Sequence, residues 1–264
     1  MKPQILILTG YGVNCEAESA HAWKVAGATP TLLHLHDLLE NPALLKKFQA
    51  LMFIGGFSFG DHMGSGEVFA LRLRCRIENE LLDFINRGNL VLGVCNGFQV
   101  MVKLGLLPGF DGNHLNRQIT LTHNACGVFQ NFWVTLGFEK KSPCIFTRGL
   151  GEMPLPIRHG EGKICTLETE ILQRLENEHC VACRYIDPRT REPAENFPEN
   201  PNGSLNSIAG VCDPTGKIFG LMPHPEAYLF PENHPQWFRQ KMAGKLPKRG
   251  LGLKIFENAV DYLK

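Results

Sequence analysis

The stretch Asn89 to Leu106, NLVLGVCNGFQVMVKLGL, decides how the rest of the chain is read. Leu90-Val91-Leu92-Gly93-Val94 is a short apolar run that suits a strand buried on both faces, and Gln99 to Leu104 resumes with helical spacing before Gly105 stops it. Cys95 lies between them with Gly93 and Gly97 two residues to either side. A strand that turns sharply into a helix strains the turn residue and lifts its side chain clear of the sheet, and small neighbours let the backbone pass close by. This is the Gly-x-nucleophile-x-Gly elbow with sulfur in place of oxygen. A helix beginning near Gly97 aims free N–H groups and the positive end of its dipole at the thiol, which favours thiolate. The competing reading is a buried core cysteine in a strand-to-helix turn.

Outward from this stretch, 264 residues suffice for one large α/β domain, expected to span residues 1–264 with a polar surface insertion at about 227–250. With 27 basic and 26 acidic residues the net charge is +1, no footprint for nucleic acid or anionic lipid, and small-molecule or protein partners are expected instead. Nine cysteines without framework spacing, and an opening Met-Lys-Pro-Gln with no charged-then-apolar leader, lead us to expect a reducing cytoplasm. No apolar run approaches the roughly 18 residues of a membrane helix.

Gln4 to Thr9 reads as a strand, Gly10-Tyr11-Gly12 as a turn, and about Cys15 to Ala26 as a helix closed by Gly27. The third glycine of a dinucleotide fingerprint is missing, because Cys15 occupies its place, so nucleotide binding here is a weak reading. Strands follow at about Thr31 to Leu35 and Leu51 to Ile54, with a short helix after Pro42 between them. This alternation argues a parallel sheet covered on both faces. Glu67 to Arg87 reads as a long helix with Leu71, Cys75, Leu82 and Ile85 on its apolar face.

Beyond the elbow, Gln118 to Thr122 and Phe129 to Leu136 are expected to form a hairpin or antiparallel edge turning at Asn124 to Gly127. Ile157 to Gly162 is expected to be a shaped loop, Thr166 to Glu178 a helix and Asp187 to Asn206 a surface loop. Cys180 and Cys183 fall in a strand-like segment that separates their side chains to opposite faces, which speaks against zinc. Ile208 to Cys212 and Lys217 to Met222 form a hairpin, and Leu251 to Leu263 a closing amphipathic helix.

Two further stretches carry chemistry. Gly55-Gly56-Phe57-Ser58-Phe59-Gly60-Asp61 ends a strand where open α/β sheets build their sites, and its glycines can present backbone N–H groups to a ligand. In Pro223-His224-Pro225-Glu226 the prolines favour extended backbone, so His224 and Glu226 point the same way as a base and its orienting carboxylate. A structural His–Glu pair is the alternative. Together, a cysteine nucleophile, a glycine-rich loop and a His-x-Glu suggest attack on an amide or ester carbonyl through a thioester.

At this point the chain resembles the class I glutamine amidotransferases. Gly93 to Gln99 (GVCNGFQ) and Pro223 to Glu226 carry that resemblance. Gly55 to Asp61, His159 to Gly162 (HGEG), Arg184 to Asp187 (RYID) and Asn200 to Ser204 (NPNGS) bring it closest to the glutaminase subunits of phosphoribosylformylglycinamidine synthase. The resemblance implies a flavodoxin-like fold with a mostly parallel central sheet, helices on both faces and an antiparallel edge. It also implies hydrolysis of L-glutamine to glutamate and ammonia, the ammonia passing to a synthetase subunit for formylglycinamide ribonucleotide, with a further partner in a small third subunit. By the same resemblance Cys95 is the nucleophile, His224 the base and Glu226 its orienter; the backbone N–H groups of Phe57 and Asn96 form the oxyanion hole; and Gly56, Ser58 and Gln99 bind substrate. No metal is implied. No Gly-Lys-Ser/Thr occurs anywhere, so ATP and its magnesium are expected on the partner and no cofactor in this chain. Family members usually carry an Arg-Phe-Glu-x-Arg stretch where this chain has the uncharged Val128 to Phe132, and residues 227 to 250 form a longer segment. A glutaminase for another acceptor, such as a guanylate or anthranilate system, is the nearest rival reading. A cysteine peptidase or hydrolase on a similar sheet is another, and a silent binding subunit the last.

Overall fold

The computed structural model describes Met1 to Lys264. The amino-terminal half alternates strands and helices: β1 (Gln4–Thr9), α1 (Glu16–Ala26), β2 (Thr29–His34), α2 (Leu35–Glu40), β3 (Ala50–Phe53), α3 (Glu67–Asn86), β4 (Leu90–Val94) and α4 (Asn96–Leu104). The remainder comprises β5 (Ile119–His123), β6 (Gln130–Phe138), β7 (Glu152–His159), β8 (Glu161–Thr166), α5 (Thr169–Asn177), β9 (Val181–Tyr185), β10 (Ile208–Cys212), β11 (Ile218–Leu221), α6 (Trp237–Met242) and α7 (Leu253–Leu263).

Nine strands form one sheet in the order β2-β1-β3-β4-β11-β10-β9-β6-β7. The first five run parallel, and from β11 onward each neighbour is antiparallel to the last. β3 and β4 are buried at every residue, as a parallel sheet covered on both faces demands. The chain leaves β1 towards β2 but resumes on β1's other side with β3. Right-handed crossovers therefore put α1 and α3 on opposite faces and leave a crevice at the carboxyl ends of β1 and β3. One continuous apolar core runs from Ile5 to Val260. No helix is long and apolar enough to cross a membrane.

Several local expectations change. The segments 118–122 and 129–136 are strands but do not pair with each other: β5 joins β8 in a separate two-stranded sheet, while β6 lies between β7 and β9. Alternation reveals that a strand has one buried face and says nothing of its partner. Ile157 to Gly162 is not a loop, because β7 and β8 meet at Gly160, and Pro154 and Pro156 are tolerated since β7 is an edge strand. The following helix is accordingly shorter, beginning at Thr169. In α3 the buried stripe is Phe69, Leu73, Ile77, Leu81 and Phe84, whereas Leu71 and Cys75 are exposed. Both series recur at helical spacing, and the bulkier one takes the core. The loop of residues 187–206 turns inward at its end, burying Asn200, Asn202 and Ser204. Those polar side chains are satisfied there: Asn202 donates to the Gly162 carbonyl at 2.8 Å and to the Tyr185 hydroxyl at 3.2 Å, and the Ser204 hydroxyl accepts from the Ile164 N–H.

Candidate active site

Four chain segments converge at the carboxyl ends of β1, β3, β4 and β11. At the end of β4, Cys95 holds φ 52° and ψ −109°, a strained conformation for a residue with a side chain, and α4 begins at the next residue. The flanking glycines are steric requirements. A Cβ on Gly97 would sit 1.9 Å from the Phe53 carbonyl oxygen, and one on Gly93 would sit 2.3 Å from the Met101 sulfur. The thiol lies 3.5 Å from the Arg158 carbonyl oxygen.

The segment after β11 brings the expected pair together, but through a 3-10 turn over Pro225–Ala227 rather than the extended backbone expected of its prolines. His224 Nδ1 lies 2.5 Å from Glu226 Oε1, and both side chains are buried. The His224 backbone N–H donates to the Pro156 carbonyl at 2.9 Å, tying the segment to β7. Burial disfavours a charged ring here, but the Glu226 carboxylate and the Cys95 and Cys15 sulfurs facing it outweigh that and hold the imidazole well above its usual pKa. Its Nε2 has no hydrogen-bond partner. A base of this kind, oriented on one nitrogen and free on the other beside a thiol, can take the thiol proton and return it to a leaving group.

The glycine-rich loop after β3 is tied to the loop after β1. Asn14 donates to the Gly55 carbonyl at 3.1 Å, and Phe57 N–H donates to the Gly12 carbonyl at 2.9 Å. This pairing fills the turn weakly read as a nucleotide fingerprint. Phe57 N–H, expected to face an oxyanion, is committed to Gly12, whereas the preceding Gly56 N–H makes no hydrogen bond. Gly56 has φ +140°, and a Cβ there would meet Val13 Cα at 2.4 Å. Asn96 lies at the first turn of α4, where backbone N–H groups lack helical acceptors.

A cavity of about 250 Å³ opens beside Cys95, walled by Gly56, Phe57, Asp61, Gln99, Arg158 and Glu161 among others. Gln99 lies in its floor rather than projecting into it: its amide donates to the Glu161 carbonyl at 2.5 Å, and its oxygen accepts from Asn96 Nδ2 at 3.0 Å. The Asn96 side chain also contacts Asp61 Oδ1 at 3.3 Å and accepts the Ser58 N–H at 3.3 Å. Ser58 is itself buried behind the wall, with its hydroxyl unpartnered. Of the three expected substrate contacts, Gly56 and Gln99 reach the cavity and Ser58 braces it from behind.

Sequence reasoning passed over Cys15, Arg158 and His159. Cys15 and Arg158 line a second cavity of about 260 Å³, which reaches Cys95 and His224 together. Cys15 follows the loop at the carboxyl end of β1, a position that could have signalled it. His159 is buried and its tautomer is forced. Asn124 Nδ2 donates to the Val128 and His159 carbonyls, so Asn124 Oδ1 is the acceptor for His159 Nδ1 at 3.0 Å. Burial, with a smaller effect of nearby His224, pushes the His159 pKa down to about 3.

The unfolded chain binds a proton at this ring below about pH 6.5, and the folded protein does not until about pH 3, so stability falls as pH falls through that window. This group alone is expected to remove about 2 kcal/mol between about pH 7 and pH 5. Urea unfolding of the parent and His159→Asn at both pH values checks it. The parent should lose more stability than the variant on acidification, and equal losses would contradict the assignment.

A family model described as the CobB/CobQ-like glutamine amidotransferase domain matches residues 2–263. Relatives named phosphoribosylformylglycinamidine synthase subunit PurQ include one from Methanococcus maripaludis strain C5, 39% identical with 99% of each chain covered. Another, from Dehalococcoides mccartyi, is 39% identical over 100% of this chain and 98% of its own. Among solved structures, one described as PurLQS from Thermotoga maritima superposes with a TM-score of 0.73 at 28% identity and covers 100% of both chains. A second structure from Thermotoga maritima, described as a glutamine amidotransferase, shares the fold alone, at TM-score 0.53 and 13% identity over 100% of this chain and 98% of its own.

Proposed function

Since the chain belongs to the CobB/CobQ-like glutamine amidotransferase family, we propose that it is the glutaminase subunit of phosphoribosylformylglycinamidine synthase, working through a Cys95–His224–Glu226 triad. The full-length likeness to subunits named PurQ supports the pathway. The observation that carries the chemistry is the His224–Glu226 contact of 2.5 Å, buried beside the elbow cysteine.

In this reading glutamine enters the cavity beside Cys95 with its carboxamide over the thiol. His224 Nε2 takes the thiol proton as sulfur attacks the carboxamide carbon, and Glu226 steadies the imidazolium. The tetrahedral oxyanion is held by the backbone N–H groups of Gly56 and Asn96. His224 returns the proton to nitrogen, ammonia leaves, and a water activated by the same imidazole hydrolyses the γ-glutamyl thioester to glutamate. Ammonia passes to a synthetase subunit that carries ATP and magnesium and aminates formylglycinamide ribonucleotide, with a small third subunit completing the assembly. The chain acts as one glutaminase domain in the cytoplasm, with residues 227–250 as a surface insertion.

A diazoketone analogue of glutamine tests the nucleophile. It should alkylate Cys95 first, with the adduct located by peptide mass spectrometry. Labelling of any other cysteine at least as fast would remove Cys95 from the role, and failure of the complex to turn over glutamine at all would favour a peptidase.

A further inference from the structure

We propose that Cys15, His224 and Glu226 form a binding site for a thiophilic divalent cation such as Zn²⁺, whose occupancy pulls His224 from its catalytic orientation. The consequence for activity rests on the glutaminase reading above; the binding does not. A thiolate, an imidazole and a carboxylate are a zinc ligand set, and the donor atoms of these three buried residues already lie within 4.8 Å of one another. Tetrahedral zinc with bonds of about 2.0–2.3 Å needs donors about 3.5 Å apart, so movements of about 1 Å complete the site.

Gly55 explains why the groups can meet. A Cβ there would lie 3.0 Å from Cys15 Sγ, 2.8 Å from His224 Cε1 and 3.5 Å from His224 Nδ1. Nδ1 is the ring nitrogen that holds Glu226, 2.5 Å from its Oε1. A cation entering here takes Nδ1 and replaces the orienting hydrogen bond, while Cys95 stands outside the ligand set.

One further observation favours a cation. Glu226 Oε2 is buried without a hydrogen-bond partner, an acceptor that a metal would satisfy. Entry is through the cavity of about 260 Å³ on which Cys15, His224 and Glu18 all open, the last adding negative charge along the route.

The test titrates the purified full chain with Zn²⁺ against a chromophoric chelator, and with Co²⁺ for the near-ultraviolet thiolate-to-metal absorption. One equivalent should bind, survive in Cys95→Ala and weaken by about 100-fold or more in Cys15→Ala with loss of the cobalt band. Cys15→Ser, which keeps the size but not the thiolate, should behave like Cys15→Ala, and circular dichroism establishes that both are folded. Unchanged affinity in folded Cys15 variants overturns the proposal, as does binding that disappears in Cys95→Ala, which would place the metal on the Cys95–His224 pair. In the assembled complex Zn²⁺ should inhibit glutamine use reversibly, relative to each variant's own metal-free rate. Zinc bound at Cys15 without inhibition would overturn the effect on His224, whereas absence of metal-free glutamine turnover would count against the glutaminase reading alone.

Discussion

Cys95→Ala is expected to lower glutamine-dependent synthesis by the reconstituted complex by about 10⁴-fold or more, while synthesis from added ammonium salt stays largely intact. The loss is large because no other group can form the thioester at that place. Cys95 alone sits on the strained turn between β4 and α4, at φ 52°, with its sulfur beside the cavity and the first N–H groups of α4 beneath it. Cys15 also faces His224, but burial raises its thiol pKa and keeps it protonated. Ammonia-dependent synthesis is spared because the chain has no Gly-Lys-Ser/Thr for ATP, and alanine at 95 leaves the backbone of the turn available to seat the subunit. Steady-state rates with each nitrogen donor check the separation. Loss of both activities would mean that this chain contributes to the synthetase site, and a substantial residual glutamine rate would point to Cys15 as a substitute nucleophile.

The second large effect concerns the unequal members of Pro223-His224-Pro225-Glu226. His224→Ala removes both the proton carrier and the positive charge beside the thiolate, and is expected to cost on the order of 10³-fold or more in glutaminase turnover. Glu226 moves no proton in this mechanism. Its Oε1 holds His224 Nδ1 at 2.5 Å, and the backbone is held independently by Pro225 and by the His224 N–H bond to the Pro156 carbonyl. Glu226→Gln, which keeps size and one acceptor, is therefore expected to lose about 10- to 100-fold, clearly less than His224→Ala. Glutaminase kinetics with the synthetase present decide between them. If Glu226→Gln is as inactive as His224→Ala, the carboxylate charge is itself required to sustain the raised imidazole pKa, and a role limited to orientation must be dropped.

How much of the molecule is legible in the chain follows from the range over which each signal acts. The elbow, the His224–Glu226 pair and the glycine-rich loop can be read from sequence because each is set within a few residues: glycines at 93 and 97 admit a turn that no Cβ would allow, and a single residue separates His224 from Glu226, although the turn that joins them is 3-10 and not extended. The parallel half of the sheet is legible for the same reason, since apolar runs such as Leu90 to Val94 declare burial on both faces. Strand partners are not, because the alternation of β5 and β6 fits a mutual hairpin as well as their actual pairing with β8 and with β7 and β9. The polar run Asn200 to Ser204 looks like surface until Gly162, Ile164 and Tyr185, distant in sequence, supply its hydrogen bonds. Residue types alone point to the glycine-rich loop, yet which of its N–H groups is free depends on the Gly12 carbonyl across the crevice, which takes Phe57 and leaves Gly56. Cys15 belongs with these: its place after the β1 loop is legible, but only the packing of that loop against Gly55 brings its sulfur to His224. Short-range sterics are written in neighbouring residues, whereas the direction of an N–H group and the company of a buried side chain are set by whichever distant segment packs against them.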